Sequence, residues 1–140
     1  VDTAWQAGDR RLLDRNTGEA HDFDHAFGPE VGNAAVFDAC ARSLVRSFCD
    51  GVSVTVVACG QSGTGKTHTM QGDGPQRPGL VQLASREIFD TLATRTDRQH
   101  MLSCSCFEVF KGRAVDLLSQ DARAELSVEA GRDGRRVLRG

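Results

Sequence analysis

Apolar positions along the chain fall into short runs whose spacing alternates between that of strands and that of helices. Arg11–Asp14 and His21–Phe23 flank Asn16-Thr17-Gly18, a sequence with turn chemistry, and are predicted as two short strands. From Asn33 to Asp50 the apolar residues Val36, Phe37, Cys40, Leu44 and Phe48 recur at helical spacing. This predicts one helix with Asn33 as its cap and Gly51 at its end. Val54–Cys59 is β-branched and apolar on both faces, the pattern of a buried strand in a parallel sheet. Gly60–Gly65 breaks the chain, and a helix is predicted from Lys66. Gly72–Gly79, with Pro75 and Pro78, interrupts that helix as a loop before the period resumes through Leu80, Ala84, Ile88 and Leu92. Leu102–Phe110 alternates as a strand, with Leu102, Cys104, Cys106 and Phe110 on one side. Leu126–Val128 and Arg136–Leu138 flank Gly131-Arg132-Asp133-Gly134 as a hairpin. The alternation of strand and helix predicts an α/β fold with a mostly parallel central sheet flanked by helices.

Composition narrows the function. The chain has 140 residues, 39% hydrophobic and 26% charged, with a net charge of -2. That suits one soluble globular domain, residues 1–140. No apolar run approaches the roughly 20 residues of a membrane span. The near-neutral balance offers no basic field for nucleic acid or anionic lipid. The opening Val1-Asp2-Thr3 lacks both a methionine and a signal region, which is read as a piece of something longer. Five cysteines, Cys40, Cys49, Cys59, Cys104 and Cys106, are an odd number without repeated CxxC spacing. They are expected as reduced thiols packed in the core. His21, His25 and His100 form no ligand set, and Trp5 is expected as a packing residue.

The chemical signal lies in Gly60-Gln61-Ser62-Gly63-Thr64-Gly65-Lys66-Thr67, which fits the P-loop pattern of Gly, four residues, then Gly-Lys-Ser/Thr. Glycines let the backbone turn so that successive N–H groups converge on phosphate oxygens. Lys66 supplies a point charge to the outer phosphates, and the Thr67 hydroxyl is a Mg²⁺ ligand. The motif follows a strand candidate and opens a helix candidate, the placement phosphate binding requires. The expected ligand is a nucleoside triphosphate.

The segment from Thr55 to Gly72, with His68-Thr69-Met70 directly after the P-loop, resembles the phosphate-loop signature of kinesin motor domains. Phe23-Asp24-His25-Ala26-Phe27 is similar to the strand ahead of that family's first motor helix. Pro78-Gly79-Leu80-Val81 with Glu87-Ile88-Phe89 is similar to the second half of the phosphate-loop helix. Phe107-Glu108-Val109-Phe110 with Asp116-Leu117-Leu118 resembles a later strand segment of the family. The resemblance implies an ATP-driven, Mg²⁺-dependent motor on microtubules in the cytoplasmic cytoskeleton. It implies that Gly60–Thr67 surrounds the phosphates and Mg²⁺ and that His68 lies near the adenine. It implies tubulin as partner through regions mostly outside these residues, with oligomeric state set elsewhere, and neither nucleic acid nor membrane as a target.

Departures from the pattern are Cys59, where the family has Tyr, Ser62 for Thr, Ser53-Val54 for Asn-Gly, and Lys111-Gly112 for Asn-Glu. The family's Arg-x-Arg-Pro adenine clamp and both of its switch motifs do not occur in these 140 residues. The reading is therefore of a partial motor domain, truncated at both ends, holding no catalytic residue of its own and inactive alone. The alternative is a kinesin-like scaffold that binds nucleotide weakly without turnover. An unrelated P-loop NTPase is disfavoured by His68-Thr69-Met70.

Overall fold

A computed structural model describes residues 4–121, 125–130 and 136–139. Contacts divide the chain into two units, Val1–Arg98 and Gln99–Gly140. The first begins with an antiparallel sheet of β1 (Trp5–Ala7), β2 (Arg11–Asp14) and β3 (Ala20–Asp22) in that spatial order. Its turn is built as the sequence predicts. Asp14 Oδ1 accepts from the Asn16 N–H at 2.8 Å, and Gly18 takes φ 74°, which glycine adopts without steric cost. Between β2 and β3, Arg11 donates to both carboxylate oxygens of Asp22, at 2.6 and 3.1 Å. That hydrogen-bonded fork holds the Asp22 carboxyl below its ordinary range. Its support for the pairing is present above the unfolded carboxylate's pKa and lost as pH falls through the lowered one. Trp5, expected to pack, is about half exposed, its ring 6.0 Å from that of His21.

Among the described residues four helices follow: α1 (Asn33–Cys40), α2 (Arg42–Cys49), α3 (Lys66–Gln71) and α4 (Leu80–Ala93). The single helix predicted over Asn33–Asp50 is divided at Ala41, which sits at φ −120°. The hydrogen-bond ladder nevertheless continues through it, from Ala41 N to Phe37 O and from Val45 N to Ala41 O, each 2.9 Å. Gly32, not Asn33, is the N-cap. The end is as predicted: Gly51 takes φ 90° while Gly51 N–H bonds Phe48 O and Val52 N–H bonds Ser47 O, the paired closure of a Schellman motif.

The interruption after α3 is also as predicted. Gly72 and Pro78 form an antiparallel bridge that returns the chain to start α4 at Gly79. A Cβ on Gly79 would fall against the Met70 carbonyl and the Gly72 nitrogen, so only glycine lets the two helices approach this closely. The core of this unit is Phe37, Ala41, Val45 and Leu80, with Val36, Met70, Leu83, Ala84 and Ile88 against it. Phe37 is 1% exposed. Into this apolar contact the sequence places one buried charge: Glu87 of α4, 8% exposed, accepts from Arg42 Nη1 and from Arg46 Nε, the latter at 2.7 Å. Two arginines one helical turn apart thus clamp α2 to α4.

The second unit is an antiparallel sheet in the order β4 (Phe107–Phe110), β5 (Arg113–Asp116), β6 (Glu125–Ala130) and β7 (Arg136–Arg139). The predicted β6–β7 hairpin pairs Ser127 with Arg139 and Ala130 with Arg136; its predicted turn, residues 131–134, lies outside the described residues. β5 was not anticipated. It is reached through Lys111 and Gly112, both at positive φ, a two-residue turn whose twist suits a hairpin.

Four expectations are corrected. Among the described residues there is no parallel sheet: both sheets are antiparallel. Residues 54–59 form no strand, because they pair with none of the strands described, and a strand exists only through a neighbour's hydrogen bonds. Likewise residues 102–106 carry no ladder, and the predicted Leu102–Phe110 strand shrinks to β4. Nor are the cysteines packed in the core. Cys40, Cys59, Cys104 and Cys106 are exposed and Cys49 is half-buried, all as free thiols.

Candidate phosphate-binding site

The P-loop residues lie between the strandless segment 54–59 and α3, and the backbone there takes the shape the glycines permit. Gly60, Gly63 and Gly65 have φ of 148°, 79° and 90°, conformations that side-chain-bearing residues rarely adopt. A Cβ on Gly60 would stand 2.5 Å from Thr64 Oγ1, so the loop also needs glycine there for space. Thr64 closes a turn on Gln61, its Oγ1 donating to Gln61 O at 2.8 Å and its N–H to the same oxygen at 3.4 Å. Ser62 and Gly63 form the tip of that turn and are exposed.

Gly65 is the N-cap of α3, and no side chain caps it. Lys66 is the first helical residue. Its ammonium folds back over the loop, donating to Gly60 O at 2.8 Å and to Gln61 O. Lys66 is half-buried, whereas Thr67 and His68 on the same first turn are exposed. The donor set therefore fits a phosphate and its Mg²⁺: a loop of free-turning glycines, one ammonium held across its mouth, and an adjacent hydroxyl. At six residues α3 is too short for its dipole to dominate, so the loop N–H groups and Lys66 carry the electrostatics.

His68 Nδ1 lies 2.9 Å from Asp73 Oδ2. The His68 carbonyl accepts from Gly72 N–H at 2.8 Å and from the Asn33 side-chain amide at 2.9 Å. His68 and Asn33 share a cavity of about 460 Å³ with Pro29, Glu30, Gln76, Arg77 and Pro78 among its walls. From the sequence Asn33 reads only as a helix cap, and Asp73 has no assigned role. The signal for Asn33 was an amide at the first helical position beside a glycine already able to cap. For Asp73 it was a carboxylate five residues beyond His68 across a glycine turn.

The structure thus brings Gly60, Gln61, Thr64 and Lys66 into one hydrogen-bonded loop and carries Thr67 and His68 on the turn that follows. Among the described residues no group of three or more His, Cys, Asp or Glu could hold a metal ion. No helix described is long and apolar enough to cross a membrane.

Comparison with known proteins gives one consistent family. The model of the kinesin motor domain matches residues 2–139. A kinesin-like protein of Oryza sativa subsp. japonica, KIN-7K, chloroplastic, is 35% identical over 117 residues, covering 82% of this chain and 11% of that protein. Kinesin-like protein KIN-7L of the same organism is 35% identical over 124 residues, covering 84% and 19%. Kinesin-related protein 11 of Dictyostelium discoideum is 33% identical over 107 residues, covering 76% and 16%. The chain spans between about a tenth and a fifth of the length of these relatives.

Proposed function

The chain belongs to the kinesin motor domain family, and from that membership we propose that Gly60–Thr67 binds the phosphates of Mg·ATP within a microtubule motor. Kinesin motor domains are P-loop NTPases, generally ATPases, and are associated with the microtubule cytoskeleton. The finer reading is ours. Lys66 holds the outer phosphates, Thr67 contributes its hydroxyl to Mg²⁺, and His68 borders the base. The bound nucleotide supplies the hydrolysable γ-phosphate. The residues of this chain bind and orient it. The observation that carries the reading is Lys66 Nζ lying across the mouth of a loop whose three glycines take positive φ. A cation already on the loop needs only to exchange carbonyl oxygens for phosphate oxygens, which bind it more strongly because they are charged.

Both units belong to one motor domain in this reading, since the family match runs through both. The family's two switch motifs, to which we assign positioning of water and following of the γ-phosphate, do not occur in these 140 residues. In this reading these 140 residues bind nucleotide, and turnover and coupling to tubulin need the switch motifs as well. The test is ATP hydrolysis with and without microtubules, by phosphate release. The full-length protein is expected to be stimulated by microtubules and the 140-residue chain not. Full-length protein that binds ATP yet ignores microtubules would favour the scaffold reading. A 140-residue chain that is stimulated would overturn the assignment of turnover to other residues.

A further inference from the structure

We propose that Asn33 is a positioning residue that sets the base end of the nucleotide site by tying α1 to His68 and to the 72–79 loop. This rests on the phosphate-loop reading above. The Asn33 side-chain nitrogen donates to His68 O at 2.9 Å and to Pro78 O at 3.3 Å, partners 35 and 45 residues away in sequence. Two carbonyl acceptors fix the orientation of the amide: its nitrogen must face them, because the oxygen would meet two like lone pairs.

These two carbonyls lie at the neck of the loop. His68 O also receives the Gly72 N–H, and Pro78 is the bridge partner of Gly72. One amide therefore holds both strands of the neck from a third element. Asp73, the first residue beyond the neck, is the group that His68 Nδ1 faces at 2.9 Å. Releasing Asn33 frees the neck and, through it, the Asp73 carboxylate that orients the imidazole. The same side chain lines the 460 Å³ cavity beside His68, so the tie stands at that cavity's wall. The phosphate cradle is independent of it. Its side-chain bonds are others: Lys66 Nζ donates to Gly60 O and Gln61 O, and Thr64 Oγ1 donates to Gln61 O. Asn33 therefore governs affinity for the base-bearing part of the ligand and leaves the triphosphate part alone.

The test compares Asn33→Asp, which keeps the shape but presents only acceptors to two carbonyls, with Asn33→Gln, which keeps the donor. Mg·ATP and Mg·tripolyphosphate are titrated calorimetrically into the full-length protein, and amide hydrogen exchange is followed without ligand. For Asn33→Asp, ATP affinity is expected to fall about tenfold, the scale of one to two lost hydrogen bonds. Tripolyphosphate affinity should stay within twofold, and Asn33→Gln should recover most of the ATP loss. Exchange should quicken at Gly72 and Asp73 but not at Leu83 and Ala84 of α4, which a general loss of stability would also expose. Equal losses for ATP and tripolyphosphate, no loss at all, or no recovery by glutamine would overturn the proposal. An unaltered protein that fails to bind tripolyphosphate would instead overturn the phosphate-loop reading, and exchange at Gly72 and Asp73 would still decide for or against Asn33.

Discussion

Replacing both Arg42 and Arg46 by alanine is expected to destabilise the protein by about 1–3 kcal/mol, the cost of leaving a buried acceptor without its partners. Glu87 is 8% exposed and its side chain meets both guanidinium groups across the α2–α4 contact. The arginines themselves are accessible, with side chains 38% and 61% exposed, so each can return to water when its partner is lost. Glu87 cannot. The penalty is therefore asymmetric. Glu87→Leu, which removes the carboxylate and fills a similar volume, should restore most of the lost stability when added to the double variant. Arg42 also lies 5.2 Å above the Phe37 ring and bonds Asp38, but both contacts are partly solvated and contribute less. Denaturant unfolding of the three proteins decides the matter. A double variant within about 1 kcal/mol of the parent, or a triple variant no better than the double, would show that Glu87 is not held as described.

Lys66→Ala is expected to weaken Mg·ATP binding by about 1.5–3 kcal/mol, roughly 10- to 150-fold. Lys66 is one of two lysines in the chain, the other being Lys111 in the second unit. Its ammonium is the side-chain cation on the loop carbonyls. Without it the phosphate oxygens keep the loop N–H groups alone. Folding should be little affected, because the half-buried lysine contacts only carbonyls that water can serve. Equal calorimetric affinity in the parent and the variant would remove Lys66 from the site.

What could be read from the sequence depended on how local the determining interactions are. α3, the 72–79 interruption and α4 follow from positions within a few residues: Gly65, Gly72 and Gly79 punctuate, and Leu80, Ala84, Ile88 and Leu92 keep the period. The conformation of the Gly60–Thr67 loop was equally legible, because its glycine positions and Lys66 act on their own neighbours. The division at Ala41 was not, since Val36, Phe37, Leu44 and Phe48 hold their spacing across it. Val54–Cys59 shows the limit most clearly. β-branched apolar residues favour a strand, but a strand exists only through a neighbour's hydrogen bonds, and the described strands pair elsewhere. Burial of the cysteines was inferred from residue type alone, and it fails even where the expected element forms: Cys40 on α1 is exposed. The partners of Asn33 and Asp73 are set by how the 68–79 segment folds back on itself, so an amide after Gly32 and a carboxylate five residues beyond His68 mark candidates without naming their partners.

The central claim is that the loop from Gly60 to Thr67 is the nucleotide site. It is tested most directly by titrating Mg·ATP into the ¹⁵N-labelled protein and following amide resonances. The account predicts saturable shifts centred on Gly60, Gly63, Gly65, Lys66 and Thr67, extending to His68, and absent from α4 beyond its first turn. Saturable binding that leaves those amides unmoved, with shifts elsewhere in the chain, would contradict it.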